Sequence, residues 1–415
     1  MRILILGAGV AGLTTAWFLR GQGHDVAIVD RNPGVALETS YANGGQLSYS
    51  YVAPLASPGV LPKLPPWLLR RDSPLRFRPR LDPHQWRWCA EFILACNARQ
   101  ADLTTRRLLA LSFYSRTLLR ALVADEEIDF DYVRNGKLLV HSSAESFESA
   151  KRLLGYQASL GCEQEALDAD ACVALEPSLA HLRPRIAGGI YTPSEDAGDC
   201  YRFCTELEAR MRQEPRPVAF HLNCEAKRLL HLGTQVIGVE TTLGVMEADR
   251  YVIALGTHAF ALVKPLGIRL PIYPLKGYSF TLPITDEARA PRISVTDYQR
   301  KVVYARLGDE LRVAGMADLA GYQATIDEAR IATLLEQVKD TFPGCSDFSR
   351  LSPWCGLRPA TPKGTPVLGA TPYRNLLLNT GHGALGFTLA AGCGKVIADL
   401  VEGRVPEIPL EGMTL

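Results

Sequence analysis

The chain has 415 residues, 45 basic against 44 acidic, a net charge of +1, 47% hydrophobic and 21% charged residues. That length exceeds what one hydrophobic core usually serves, so two lobes are expected. The balanced charge leaves no global field for nucleic acid, and an α/β or α+β fold with a large core is affordable.

Ten cysteines occur without CxxC pairs or the close spacing of a secreted disulfide framework, which fits a reducing compartment. Cys200 and Cys204 in CYRFC are one helical turn apart, but nothing accompanies them to complete a zinc site, so no metal is expected. The N-terminal MRILILGAGVAGL carries three glycines at fixed spacing and lacks a cleavage-like end, which argues against a signal peptide. No uninterrupted apolar run of about 18 residues is present, so a membrane span is not expected, while contact with a membrane surface stays open.

In chain order, RILILG reads as a strand, GAGVAG as a turn, LTTAWFLRGQG as a helix and DVAIVD as a second strand, the opening βαβ unit of a dinucleotide fold. From Asn32 to Pro83 the chain is rich in Gly, Pro, Ser and Tyr and reads as a long functional loop. Helical patterns run from His84 to about Asp125, followed by the strand GKLLVH. ESFESAKRLLGYQASLG is helical, and GDCYRFCTELEARMRQE predicts a second helix with Asp199 near its start.

GGIYTP, VAFHLN, VIGVETT and YVIALG, between residues 180 and 260, read as strands of the first, nucleotide-binding lobe. Residues 270 to 315 alternate in the manner of an antiparallel sheet that would wall a substrate lobe. WCGLRPATPKGTPVLG is too punctuated for a helix or a long strand, and its lone Arg358 is a candidate ligand clamp or a solvated loop arginine. The C-terminal segment predicts a strand, a glycine turn and a long helix.

Within GAGVAG, Gly7 allows the tight turn, Gly9 lets backbone approach a pyrophosphate and Gly12 lets helix pack on strand, with Ala8, Val10 and Ala11 between them. The phosphates would meet the free N–H groups of the helix N-terminus. Asp30, 18 residues beyond Gly12, is placed to accept from a ribose diol, with Arg31 beside it. In TGHGALG, Gly381, Gly383, Ala384, Leu385 and Gly386, followed by Thr388, would aim a helix N-terminus at an anionic partner, in a flavoenzyme the N1–C2=O edge. Ala226, Ala254 and Gly256 are further expected cofactor contacts.

ETSYANGGQ (38 to 46), the GDC at 198 to 200, IYPLKGYS (272 to 279), RVAGMADLAGY (312 to 322), GLRPATPKGTPVLG (356 to 369) and LNTGHGALGFTLAAGCG (378 to 394) occur in one order across nearly the whole chain. With these motifs the sequence resembles the D-amino acid oxidase (DAO) superfamily of FAD enzymes, most closely the bacterial D-amino acid dehydrogenase family of small-subunit type. The resemblance implies a Rossmann-like FAD lobe of discontinuous segments, residues 1–60, 148–260 and 353–415, under a substrate lobe of 61–147 and 261–352. It implies that Arg358 grips a substrate carboxylate so that the Cα hydride passes to flavin N5, giving an imine that water converts to a 2-oxo acid and ammonium.

On the same resemblance, Ser40, Asn43, Gly44, Gly45 and Gln46 run beside the flavin, and Ser48 and Tyr51 line the substrate pocket. Tyr278 either assists carboxylate binding or is core, and His382 either lies at the flavin or is a spacer. The expected substrate is small or cyclic, such as D-alanine, D-proline or a hydroxyproline isomer. A glycine- or sarcosine-type oxidase that makes peroxide, and a relay flavoprotein without an amine substrate, are the alternatives.

Two features stand apart. Residues 61 to 80 interleave Leu, Trp and Phe with Lys63, Arg70, Arg71, Arg76, Arg78 and Arg80, which reads either as contact with the cytoplasmic face of a bacterial inner membrane, where a quinone accepts electrons, or as a loop packed on its own protein. Cys355, just before GLRP, falls near the flavin-linking cysteine of the similar monomeric sarcosine oxidase, so a covalent thioether to FAD is set beside non-covalent binding.

Overall fold

The structure is a computed structural model that describes residues 1–64, 73–213 and 215–415. Its first lobe is built on a six-stranded sheet in the order Val367–Ala370, Leu376–Thr380, Arg250–Ile253, Arg2–Leu6, Asp25–Val29 and Ala219–His221. Every neighbouring pair is parallel except the first. Ile3 to Leu6 are buried on both faces, which explains why the first strand is a continuous apolar run rather than an alternation.

Helix Val10–Gly21 returns over this sheet and packs against the C-terminal helix Gly386–Val401. A Cβ at Gly394 would lie 2.7 Å from the Thr14 carbonyl carbon, so glycine sets how closely these helices approach. Gly383–Val401 is long and apolar enough to cross a membrane, yet 72% of it is buried inside the protein. Its apolarity serves the core.

The expected helical stretch after His84 is two helices, Pro83–Ala95 and Ala98–Glu126. Asn97 separates them, its side-chain oxygen accepting from Gln100 N at 2.9 Å as the cap of the second. The second helix packs on Gly386–Val401, and its Leu119 and Leu122 share one core with Ile3, Leu13 and Ala390. Part of the segment assigned to the substrate lobe therefore packs on the first lobe, because an amphipathic helix follows the nearest apolar face.

The second lobe carries a nine-stranded sheet, ordered Ser352–Ala360, Tyr273–Pro283, Glu310–Leu319, Val302–Leu307, Ser294–Asp297, Lys137–His141, Gly188–Thr192 and Glu165–Leu167, with Leu75–Phe77 paired beside Glu310–Leu319. The predicted antiparallel wall at 270 to 315 is its centre. Two sequence assignments change here. GGIYTP forms a strand of this sheet, paired with Lys137–His141, and not of the nucleotide-binding lobe. The Arg358 segment is a nine-residue strand despite its Gly and Pro. Pro353 and Pro359 are tolerated because this strand is the sheet's edge.

Candidate active site

One continuous cavity of about 1590 Å³ runs between the lobes, from Asp30 and Ala226 at one end past Gly9 and Gly383 to Gly277 and Arg358. It exceeds the usual 300–1,000 Å³ of a small-ligand pocket and suits a dinucleotide plus a second molecule. Gly7 has φ +112°, and a Cβ there would lie 2.6 Å from the Ala254 carbonyl oxygen. At Gly12 a Cβ would overlap the Gly7 carbonyl oxygen. Gly7 and Gly12 thus have steric causes, the turn lying too close to Ala254 on one side and to the helix on the other for a side chain.

Helix Val10–Gly21 has no side-chain cap, and Ser40 Oγ accepts from Val10 N at 3.1 Å. Asp30 fixes the turn, its Oδ2 accepting from Ala8 N at 2.8 Å and its Oδ1 from Asn32 N at 2.9 Å, while the carboxylate borders the cavity. Arg31 beside it donates to Glu38 Oε1 at 2.8 Å. Ala11, Ala254 and Gly256 also line this end.

The loop at 40 to 46 is held by residues from three of the quoted motifs, one of them Ser279, whose Oγ donates to the Ala42 carbonyl. Arg312 donates from Nη1 to the Asn43 carbonyl at 2.9 Å and pairs through Nη2 with Asp199 at 3.1 Å, and Asp199 also caps helix Cys200–Met211. Gly44 and Gly45 pass beneath the second sheet, where a Cβ would lie 3.1 Å from Val303 and 3.2 Å from Leu307. Gln46 Nε2 donates to the carbonyl oxygens of Val295 and Tyr304. Asn43, Gly44 and Gln46 face the cavity, whereas Gly45 is not among its lining residues.

Opposite, Gly381 (φ +81°) and Gly383 (φ +56°) shape the turn before Gly386–Val401, which has no side-chain cap, and Gly383, Ala384, Leu385 and Gly386 line the cavity. Gly381 and Thr388 support this wall from behind, Thr388 Oγ1 accepting from Ser48 N at 3.0 Å. His382 Nε2 lies 3.0 Å from Asn379 Oδ1, and Asn379 Nδ2 donates to Thr15 Oγ1 at 2.9 Å. With the Asn379 oxygen as acceptor, His382 carries its proton on Nε2. Burial pushes its pKa down to about 4, so the ring is neutral at pH 7.

Arg358 projects into the cavity from the edge strand, with Trp354 and Gly356 on the same face. Its Nη1 donates to the Met316 carbonyl at 2.8 Å, and no carboxylate pairs with it among the described residues. Burial lowers its pKa to about 10, partly offset by Asp318, and it stays cationic at pH 7. The guanidinium lies against Gly277 on the neighbouring strand, where any Cβ would overlap it. A buried cation with free planar donors offers the geometry that a carboxylate can take in two prongs.

Tyr278 borders the cavity but belongs to the core, with its hydroxyl donating to Asp318 Oδ2 at 3.1 Å. Asp318 is also paired with Arg330 at 2.5 Å and with Arg76, so that donor is already engaged. Cys355 points away from the cavity into the core that contains Tyr278, and burial pushes its thiol pKa up.

Lys137, which the sequence reading passed over, is buried with its Nζ 2.9 Å from Ser48 Oγ and 4.5 Å from the Tyr51 ring centre. Burial draws its pKa down to about 8. Gly277 and Met316 were also passed over, since the register that sets Leu275 opposite Arg358 and Gly277 opposite Gly356 is not visible in the sequence.

The DAO family, described as FAD dependent oxidoreductase, matches residues 2–400. The chain belongs to that family. Curated relatives include a D-amino acid dehydrogenase 2 of Ralstonia nicotianae, 51% identical over 98% of both chains, and a D-amino acid dehydrogenase of Vibrio cholerae, 43% identical over 98% of this chain and 96% of the other. Among solved structures, a glycine oxidase from Geobacillus kaustophilus superposes with TM-score 0.81 at 21% identity, covering 100% of this chain and 98% of that one. An L-proline dehydrogenase from P. horikoshii gives 0.77 at 16%, covering 100% and 96%. At such identities these two share the fold.

The family's cofactor fits the residues present. The glycine turn at the N-terminus of helix Val10–Gly21, where Ser40 Oγ holds only the Val10 N–H, suits the pyrophosphate, Asp30 a ribose, and the turn at Gly383 to Gly386, which has no side-chain cap, an electron-rich flavin edge.

Proposed function

We propose that the protein is an FAD-dependent D-amino acid dehydrogenase that oxidises the Cα–N bond of a small or cyclic D-amino acid to the imine, which water hydrolyses to a 2-oxo acid and ammonium. The observation that carries this reading is the buried, carboxylate-free Arg358 at the end of a cavity whose other end fits FAD. The names of the full-length relatives support the amino-acid class.

Bound FAD supplies the hydride acceptor. The chain's part is binding, orientation and exclusion of water. Arg358 takes the substrate carboxylate in a two-pronged grip, and Met316 O together with Gly277 fixes the plane of that grip. Trp88, Phe92 and Leu275 border the same end and provide apolar cover for a small side chain. His382 is neutral and adds no competing charge beside the carboxylate.

FAD is held without a covalent link in this reading, because Cys355 is turned into the core. Electrons pass onward to a quinone or another acceptor. The reading is of a cytoplasmic protein, peripheral on the inner membrane. Of the basic loop, residues 65 to 72, including Arg70 and Arg71, lie outside the described residues. Arg76 and Arg78 pair with Asp327, and Arg80 donates to the Ala320 carbonyl, so these three serve the protein's own packing. The exposed Leu81, Trp86, Ile93 and Leu94 nearby are the apolar side chains available to a lipid surface. Flotation with anionic liposomes that fails for the wild type would remove the membrane part.

The deciding experiment is anaerobic mixing of the yellow holoprotein with D- and L-amino acids, glycine, sarcosine and proline derivatives. Bleaching by D-amino acids is expected. Bleaching by none would overturn the reading, and stoichiometric peroxide in air would move it to an oxidase.

A further inference from the structure

The cavity has a second polar arm that substrate binding at Arg358 leaves unused. One face of strand Lys137–His141 lines it with Lys137, Leu139 and His141, alternate residues about 7 Å apart. Arg358 and Lys137 stand on the same sheet, separated by five strand spacings, a contour of about 24 Å. A small amino acid held at Arg358 does not span that.

The arm's polar groups have unspent hydrogen bonds. Among the described residues Lys137 Nζ donates to one acceptor, Ser48 Oγ, and lies over the face of Tyr51, while Glu195, whose charge acts on it, accepts from the backbone N–H groups of Tyr49 and Ser50. His141 is fully buried, and its Nδ1 lies 2.9 Å from Ser146 Oγ. Ser146 spends its own proton on the Ser143 carbonyl, so His141 donates from Nδ1 and presents Nε2 as an acceptor, which has no partner among the described residues.

Between these two poles lies the apolar Leu139, and Tyr51 and Tyr298 supply aromatic walls. The arm reaches the surface along helix Ala144–Ser159, at the exposed Ser149 and Leu153. It is also close to the cofactor, because Ser48, which holds Lys137, donates its own N–H to Thr388 in the first turn of the helix facing the flavin site.

We infer that this arm is the binding site of a quinone electron acceptor, with Lys137 donating to one ring oxygen, Leu139 under the ring and His141 Nε2 facing the hydroxyl that forms. The inference rests on the dehydrogenase reading above. The quinone gains two electrons and two protons. The electrons and one proton are those taken from the amino acid, and the second proton comes from the Lys137 ammonium, which water then reprotonates.

The test titrates a short-chain, water-soluble benzoquinone into oxidised holoprotein by calorimetry, and follows anaerobic bleaching by amino acid and reoxidation by the same quinone, in wild type, Lys137→Met and Lys137→Gln. Loss of a hydrogen bond from a charged donor is expected to weaken quinone binding in Lys137→Met about tenfold or more. Reoxidation should slow relative to bleaching by a similar factor, and Lys137→Gln, which keeps an N–H donor, should recover part of both. Wild-type protein that binds no quinone overturns the inference without any variant. Unchanged quinone binding in Lys137→Met does so too, as does a shift in the half-saturating amino acid concentration as large as that for quinone, which would give the arm to the amino acid. Failure of the dehydrogenase reading shows instead as no bleaching by any amino acid, and the quinone titration still decides.

Discussion

The Arg358 guanidinium rests on the backbone of Gly277, at a position where a Cβ would overlap its Nη atoms, while Met316 O holds its Nη1 at 2.8 Å. An arginine placed this way has one orientation, and the strand pair fixes it through the Gly277–Gly356 register two residues away.

Gly277→Ala should therefore displace the guanidinium without touching the glycine cradle at the other end of the cavity. The expected result is a rise of about tenfold or more in the half-saturating amino acid concentration, the cost of a distorted charge-assisted pair, with FAD still bound. Anaerobic flavin titration checks it, and unchanged affinity would show that the side chain at 277 does not matter.

Arg312 links the Asn43 carbonyl to Asp199 in a nearly dry setting. Arg312→Leu leaves Asp199 buried without its charge partner, which should lower stability by about 3 kcal/mol and loosen FAD, since the loop at 40 to 46 loses its anchor. Chemical denaturation and the FAD content of the purified variant measure both effects.

Acid should destabilise the fold through His382. Its folded pKa is pushed down to about 4, below the unfolded value of about 6.5, so between those values the unfolded chain binds a proton that the native protein does not. Stability contributed by this neutral histidine is present above about pH 6.5, falls as pH drops toward 4 and is level below that, a loss of about 3 kcal/mol. His382→Gln should show a smaller drop in urea midpoint between pH 7 and 4.5 than wild type. Equal drops would assign the acid sensitivity elsewhere.

Flavin should leave with denaturation. With the Cys355 thiol in the core, acid precipitation is expected to put all the yellow colour in the supernatant, and colour that stays with the pellet would contradict non-covalent binding.

The opening βαβ unit and both glycine turns were legible because part of what they require is local: Gly7 and Gly381 take positive φ, and Gly12 meets the Gly7 carbonyl five residues back. Sheet membership was not. GGIYTP has the period of a strand, but periodicity does not say which sheet it joins, and its partner Lys137–His141 lies about fifty residues away. Pro353 and Pro359 disguised a strand whose edge position made them harmless. Lys137 drew no notice within GKLLVH because only tertiary packing brings Ser48 and Tyr51 over it. Tyr278 was left between carboxylate binding and core, because its hydroxyl bond to Asp318 depends on a contact 40 residues on.

The most direct test of the central claim compares wild type with Arg358→Ala in anaerobic bleaching by the D-amino acid that reduces the wild-type flavin. A desolvated charge pair worth about 2 to 5 kcal/mol predicts at least about a 30-fold rise in half-saturating concentration, with the FAD content unchanged. Loss of FAD with the same concentration dependence in the remaining holoprotein would show that Arg358 serves the cofactor and not the substrate.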